Sequence, residues 1–206
     1  MLIAKFILLA PHCFSQRVSS NSEKHKIGFS IGYGDQEMNL IALGVDLQVD
    51  YSYKVLFAQV NYIYSFFNDD IWDIGFNLQS EYGITSYKSN SRILIDSRSF
   101  EFGVSGGVIF SYKLSKEKLN LYLLLSAGPH YSEKSPERQF PGFMFNNNFD
   151  IGINYLIKDN LHFDMRTGFR HLSNAALKYP NGGLNNWVLI LGLLYEFDDE
   201  AEDEIY

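Results

Sequence analysis

Hydrophobic and polar residues alternate with a period of two along most of the chain from Lys26 onward. The clearest example is residues 161–171, where apolar residues hold one parity and charged or small residues hold the other. There, Leu161, Phe163, Met165 and Phe169 alternate with His162, Asp164, Arg166, Gly168 and Arg170. Successive side chains of a β-strand point to opposite faces of a sheet, so this period predicts strands with one apolar and one polar face.

Eight segments of the chain carry this alternation. The predicted strands are residues 26–34, 54–66, 71–87, 98–113, 119–131, 144–157, 160–172 and 186–197. Tight connections near residues 68–70, 115–118 and 158–160 alternate with longer ones near residues 35–53, 88–97, 132–143 and 173–185. An even strand count with short turns at one end and long loops at the other is typical of bacterial outer-membrane barrels. The pattern predicts an all-β fold, an eight-stranded antiparallel up-and-down transmembrane β-barrel over residues 26–197.

The parity of the residues leaves open which face points outward, because a soluble lipocalin-like barrel has the same alternation with an apolar interior. Three features favour lipid on the outside. The polar face mixes glycine with charged and amide residues that can pair inside a narrow lumen, and an export signal precedes the barrel. Aromatic residues also lie near strand ends, as in the girdles of membrane barrels: Trp72, Tyr112, Trp187, Tyr195 and Phe197. Side chains fill the interior of an eight-stranded barrel, so an aqueous channel is not expected.

The composition agrees with strands rather than helices as the membrane-crossing elements. The 206 residues suit a single domain, and 46% are hydrophobic and 16% aromatic. No run approaches the roughly 18 apolar residues that a membrane helix needs. A formal net charge of −7 argues against nucleic acid as a partner, because phosphate binding depends on clustered lysine and arginine.

The two ends of the chain differ from the alternating region. Residues 1–15 predict a signal peptide, and residues 16–25 a short N-terminal segment. Residues 198–206 contain six acidic residues and predict a solvated tail. Cys13 is the only cysteine, so the chain has no internal disulfide.

One segment combines residue types that carry chemistry. Residues 171–175 are His-Leu-Ser-Asn-Ala, and Pro180, Asn181 and Gly183 follow. The segment resembles the signature of the PagL-type lipid A 3-O-deacylases, in which a His-x-Ser-Asn-Ala run is followed by Pro-Asn-x-Gly. The direct match covers about 16 residues, and the eight-strand plan of the whole chain is also similar to that family.

The resemblance implies a serine hydrolase that acts on a lipid ester at the barrel surface. It implies that His171 is the general base, that Ser173 is the nucleophile, and that Asn174 helps to bind the oxyanion with a backbone N–H of the adjacent residues. A hydroxyl needs a neighbouring base to become a good nucleophile, and the tetrahedral intermediate needs preorganised donors. Residues i and i+2 of a strand share a face, so His171 and Ser173 are expected to point together towards lipid.

The chain departs from the family pattern at one position. An acid, usually glutamate, is expected 14 residues after the histidine, and Asn185 stands there instead. Its parity predicts that it faces the same side as His171, where its carbonyl oxygen can accept a proton from the ring but supplies no charge. Two hypotheses follow: an ester hydrolase that works more slowly, and a non-catalytic barrel that binds lipopolysaccharide or supports the envelope.

The resemblance also implies the partners and the location. Lipid A or lipopolysaccharide is the expected substrate, in the bacterial outer membrane, with the site towards the external leaflet. Cationic residues in or beside the long loops are either solvated or contact lipid A phosphates: Lys88, Arg92, Arg98, Lys134, Arg138 and Lys178. No histidine pair has metal-ligand spacing with a third donor, so no metal or cofactor is expected. The sequence leaves open whether two copies form a homodimer.

Overall fold

The computed structural model describes residues 24–36, 51–89, 97–115 and 118–198. They form eight β-strands: β1 (Lys24–Asp35), β2 (Tyr51–Asn68), β3 (Trp72–Ser89), β4 (Ser97–Ser115), β5 (Leu119–Ser132), β6 (Gly142–Lys158), β7 (Leu161–Ser173) and β8 (Leu184–Asp198). Each strand pairs antiparallel with the next, and β8 pairs with β1, so the sheet closes into a barrel without free edges. The predicted fold is confirmed, and no predicted strand end differs from the observed one by more than three residues.

The strands extend slightly beyond the predicted barrel. Lys24, predicted to lie in the N-terminal segment, pairs with Asp198, predicted to begin the tail. The β1–β8 ladder extends as far as the pair of Lys24 and Asp198. A sequence pattern does not reveal this extension, because the two strands are distant in the chain. The predicted signal peptide and the rest of the predicted tail lie outside the described residues.

The connections differ at the two ends of the barrel. At the short-turn end, residues 69–71 join β2 to β3 and residues 159–160 join β6 to β7, beside the start of β1 and the end of β8. At the long-loop end, residues 133–141 join β5 to β6 and residues 174–183 join β7 to β8. In the first short turn, the backbone N–H groups of Trp72 and Ile71 donate to the Asp69 carboxylate and hold its pKa below its usual value.

The outer surface of the barrel is apolar and its interior is polar. Outward-facing residues that are about half exposed include Phe29, Ile31, Leu56, Phe76, Leu78, Phe149, Ile151 and Leu191. Buried inward-facing residues include Gln59, Asn61, Asn77, Asp150, His162 and Arg166. This arrangement is the reverse of a lipocalin-like carrier and fits a barrel with lipid outside. The described residues contain no helix long and apolar enough to cross a membrane.

Side chains close the lumen at several levels. Near the long-loop end, a buried apolar cluster consists of Tyr51, Tyr53, Met144, Leu172 and Leu184. A second cluster combines Val55, Phe57, Val188 and Ile190, and a third lies nearer the short-turn end around Tyr122 and Leu194. A cavity of about 180 Å³ opens at the short-turn end, where Lys26, Lys113 and Glu196 line it. The apolar clusters separate this cavity from the long-loop end, as expected for an eight-stranded barrel that is not a channel.

A buried ionic cluster lies between the apolar levels. Arg170 Nη2 is 2.8 Å from Glu81 Oε1 and 2.5 Å from Glu101 Oε1, and His130 Nε2 lies 3.4 Å away. The two carboxylates and the His130 ring bring ligand atoms within 4.8 Å of one another, a separation suited to a metal ion. The Arg170 guanidinium already contacts both carboxylates, so arginine supplies the positive charge beside them.

Candidate functional site

The candidate site lies on the outer surface at the long-loop end of β7. His171 and Ser173 are half-buried and share the outward face, while Leu172 between them is buried in the lumen cluster. Ser173 is the last residue of β7, so the loop of residues 174–183 begins directly after it. The alternation of β7 therefore places the two side chains together, as the parity of the sequence predicts.

Asn185 on β8 lies beside His171. The two residues are directly opposite in the β7–β8 ladder, and His171 Nδ1 is 2.6 Å from Asn185 Oδ1. A carbonyl oxygen only accepts, so Nδ1 carries a proton, and in the neutral ring the lone pair is on Nε2. The amide thus selects the ring tautomer in which Nε2 can act as a base.

Gly183 covers the edge of the His171 ring. A Cβ atom built on Gly183 would lie 2.7 Å from Cε1 and 3.5 Å from each ring nitrogen, so only glycine leaves room for the imidazole. Gly183 also has φ +67°, a conformation that favours glycine. Asn185 and Gly183 together fix the ring from the β8 side. Among the described residues, no hydrogen bond joins the ring to Ser173 Oγ.

We expect Gly183→Ala to lower kcat for ester hydrolysis by about 10²-fold, because a misplacement of a catalytic group by about 1 Å costs that much. The added methyl group must displace the imidazole, and the positive φ adds a cost of about 1–2 kcal/mol to folding. Steady-state kinetics on the folded, detergent-solubilised barrel would measure the effect. Gly106→Ala is the matched control, because a Cβ there would meet no heavy atom within 4 Å. Equal activity of both variants would contradict the packing argument.

Asn174 organises the loop that follows Ser173. Its side chain is buried, and its Nδ2 donates to Lys178 O at 2.8 Å. Its backbone N–H donates to Asn181 Oδ1 at 3.1 Å. The backbone N–H and one of the two Nδ2 hydrogens are thus used within the loop, whereas the sequence analysis assigned the side chain to the oxyanion. That role for Asn174 remains a prediction.

The next two residues have left-handed backbone conformations. Ala175 has φ +51° and Ala176 has φ +62°, which is uncommon for residues with a Cβ atom. Their N–H groups form no hydrogen bond within the described part of the chain. They are therefore free to donate beside Ser173, and oxyanion binding by the adjacent backbone stays a prediction.

A neighbouring loop supports the site, and the sequence analysis did not identify it. Gln139, which is 1% exposed, accepts the N–H of Gly183 through Oε1 at 3.0 Å. Gly182 N donates to Arg138 O at 2.7 Å, and Phe140 N donates to Pro180 O at 2.7 Å. These bonds tie residues 138–140 to residues 180–183 and hold Gly183 against His171. No local pattern marks Gln139, because its role depends on a loop that lies about 40 residues later.

Two of the predicted phosphate-binding cations, Arg138 and Lys178, lie on these two loops. Arg138 Cζ lies 4.8 Å from the centre of the Tyr51 ring, and Lys178 Nζ lies 4.9 Å from the centre of the Phe140 ring. Of the other predicted cations, Lys88 is exposed near the end of β3, Arg98 and Lys134 are exposed in or beside the long loops, and Arg92 lies outside the described residues.

A further polar residue, Asn147, lies on the outward face of β6 directly opposite His171. The outward row of that strand is otherwise aromatic or aliphatic: Phe143, Phe145, Phe149 and Ile151. The sequence analysis missed Asn147, although its parity was a readable signal, because it occupies an apolar position inside an alternating strand.

A comparison with protein-family models shows which family the chain belongs to. A model described as Lipid A 3-O-deacylase (PagL) matches residues 49–193, which span β2 to β7, most of β8 and the whole candidate site. The chain belongs to this family. Membership in the PagL family places the barrel in the bacterial outer membrane, and it confirms the resemblance drawn from the motif.

The chain is similar to several solved structures. The outer membrane enzyme PagL superposes with a TM-score of 0.51 at 14% identity, covering 81% of this chain and 97% of that one. Neisserial surface protein A gives 0.48 at 13% identity, covering 84% and 97%. The attachment invasion protein Ail of Yersinia pestis gives 0.44 at 17% identity, covering 85% and 97%. No curated protein sequence matches the chain.

Proposed function

We propose that this PagL-family barrel is a serine esterase that removes an ester-linked 3-hydroxyacyl chain from lipid A in the external leaflet. The main observation that supports this proposal is the outward-facing pair of His171 and Ser173, with Asn185 Oδ1 2.6 Å from His171 Nδ1. A polar pair on an apolar barrel surface meets lipid directly, so the ester need not enter a pocket. Family membership supports lipid A as the substrate.

The first half of the proposed reaction forms an acyl-enzyme. His171 Nε2 accepts the proton of Ser173 Oγ as Oγ attacks the carbonyl carbon of the ester. The carbonyl oxygen gains negative charge, and the N–H groups of Ala175 and Ala176 are the proposed donors to it. Asn174 shapes the loop that carries these N–H groups. Its side chain is a further predicted donor to the same carbonyl oxygen.

The second half releases the two products. The imidazolium of His171 gives its proton to the departing sugar oxygen, and the carbon–oxygen bond of the ester breaks. A water molecule then loses a proton to Nε2, attacks the acyl-enzyme and frees the 3-hydroxy fatty acid. Ser173 recovers its proton from the ring, so one water is consumed for each ester cleaved.

The cations near the site are proposed to bind the headgroup. Arg138 and Lys178 lie on the two loops that frame the site, at the level where the lipid A phosphates would lie. Lys88 and Arg92 are proposed to extend this contact. Charge-assisted hydrogen bonds to phosphate are strong enough to orient a substrate whose acyl chains remain in the bilayer.

Ser173→Ala tests the proposal. Loss of a serine nucleophile lowers kcat by about 10⁶-fold in other serine hydrolases, so deacylation should disappear. Mass spectrometry of lipid A from cells that express the wild-type barrel should show the loss of one 3-hydroxyacyl chain, and cells with the variant should not. Ser52→Ala is the matched control, since Ser52 is another half-buried, outward-facing serine at the long-loop end. Unchanged lipid A with folded wild-type protein in the membrane would contradict the proposal.

The second candidate is a barrel that binds lipopolysaccharide without cleaving it. The observation that favours it is Asn185, which supplies no charge to the histidine. A fluorophosphonate probe separates the two functions, because it labels a serine only when a base activates the hydroxyl. Labelling of Ser173 favours the esterase, whereas lipopolysaccharide binding without labelling favours the second candidate.

A further inference from the structure

Asn147 places an unpaired amide in the apolar outer surface of the barrel. Along β6, Phe143 and Phe145 lie on its long-loop side, and Phe149 and Ile151 lie on its other side. Within the described part of the chain, its side chain forms no hydrogen bond. A polar group that faces hydrocarbon without a partner is costly. An amide at this depth therefore points to a polar partner on the lipid itself.

The strand register places Asn147 beside the candidate site. It lies directly opposite His171, and its neighbour Phe145 lies opposite Ser173. Opposite residues of an antiparallel pair have Cβ atoms about 4.5–5.5 Å apart, and diagonal residues about 7–8 Å apart. The Asn147 amide is thus adjacent to the imidazole and diagonal to the nucleophile, a span in which one carbonyl group fits.

The opposite side of the imidazole is already occupied. Asn185 holds Nδ1 from β8, and Gly183 packs against Cε1. An ester that approaches both Nε2 and Ser173 Oγ therefore has its open space on the β6 side, where Asn147 is exposed. Asn174, the side chain expected to bind the oxyanion, uses one of its two Nδ2 hydrogens for Lys178 O.

We propose that Asn147 is a further catalytic residue, whose Nδ2–H donates to the carbonyl oxygen of the bound acyl ester as Ser173 attacks. The inference rests on the proposed esterase function and extends it to a third strand. The hydrogen bond strengthens as the oxygen becomes negative, so it stabilises the transition state more than the bound substrate. Asn147, His171 and Ser173 then act on one ester from adjacent strands.

Two substitutions test this role. Asn147→Leu removes the amide, and Asn147→Asp keeps the shape and an acceptor oxygen but removes the donor. Loss of one oxyanion donor lowers kcat by about 10²–10³-fold, and both variants are expected to show this with KM changed by much less. The leucine variant is expected to fold, because leucine is favourable at a lipid-facing position. Its heat-induced unfolding, followed by the mobility shift in gel electrophoresis, should occur at the wild-type temperature or above.

Met165→Leu, on the same outward face but further down β7, is the matched control and should keep the wild-type kcat. The rate of fluorophosphonate labelling at Ser173 gives a second readout, which should fall in both Asn147 variants. If the wild-type protein deacylates lipid A and Asn147→Leu does so equally fast, the inference alone is overturned. Wild-type activity in Asn147→Asp overturns the donor role. If the wild-type protein neither cleaves lipid A nor labels at Ser173, the esterase proposal is overturned, and this inference with it.

Discussion

Asn185→Asp is expected to raise kcat for lipid A deacylation by about 10²-fold. Aspartate has the shape of asparagine, so its carboxylate oxygen can take the place of Oδ1, 2.6 Å from His171 Nδ1. The change adds a negative charge beside the ring while the geometry stays the same. In a serine protease triad, exchange of the acid for an amide costs about 10⁴-fold, largely because the ring tautomer is wrong. Here the tautomer is already suitable, so the expected gain is smaller.

The sign of the pH effect follows from the same charge. A carboxylate stabilises the imidazolium, so a higher pH is needed before His171 can accept the serine proton. The acid limb of the kcat/KM profile should therefore move to higher pH in Asn185→Asp. Steady-state rates on lipid A in mixed micelles, measured across that pH range, check both the gain and the shift.

Asn185→Ala is the companion variant and is expected to fall below the wild-type rate, because nothing then holds Nδ1. An aspartate variant with the wild-type rate and an unshifted profile would show that His171 is not the base. Absence of deacylation by both the wild-type protein and the aspartate variant would favour the non-catalytic lipopolysaccharide-binding barrel, whereas a rate gain would show that the amide at position 185 limits the wild-type rate.

Arg170→Met is expected to destabilise the barrel by about 3–5 kcal/mol, the usual cost of removing one partner from a buried ionic cluster. Arg170 is 1% exposed, and its Nη2 holds Glu81 and Glu101 at 2.8 and 2.5 Å. Methionine fills part of the volume but leaves two buried carboxylates without their guanidinium, with Tyr53, Gln59 and His130 as the remaining partners. Urea-induced unfolding of the barrel in lipid vesicles measures the change in the free energy of unfolding.

A combined variant separates the charge effect from a packing effect. Adding Glu81→Gln and Glu101→Gln to Arg170→Met removes the unpaired charges and should recover most of the lost stability. A single variant that loses less than about 1 kcal/mol, the usual worth of an exposed ion pair, would contradict a buried cluster. Because Arg170 points into the lumen and His171 points outward, the combined variant should also keep its esterase activity.

The faces of the strands could be predicted because they depend on backbone geometry alone. A strand turns successive side chains to opposite sides, so the parity of residues 161–171 already placed His171 and Ser173 together on the apolar face. The polar composition of the other face and the aromatic residues at strand ends indicated that lipid lies on the apolar face. The same parity placed His162 on the polar face, and its side chain is buried in the lumen. The parity of Asn185 likewise placed it on the outward face of the next strand.

The partners of the site residues could not be predicted with equal ease, because register and loop docking join parts of the chain that are distant in sequence. Gln139 supports Gly183 from another loop, and only the folded chain shows that bond. Asn147 is opposite His171 through the pairing of β6 with β7. A shift of one residue in that register would turn the amide away from the imidazole and into the lumen.

The sequence by itself determined the alternating strands, the lipid-facing side of the barrel and the motif from His171 to Asn185. These features are local, since a period of two and a short motif are properties of neighbouring residues. The tertiary structure alone decided which donors remain available at the site. In the folded chain Asn174 forms hydrogen bonds within its loop, Gly183 lies against the imidazole, and Asn147 lies opposite it. Hydrogen bonds between strands and loops select this one register from several that the pattern allows.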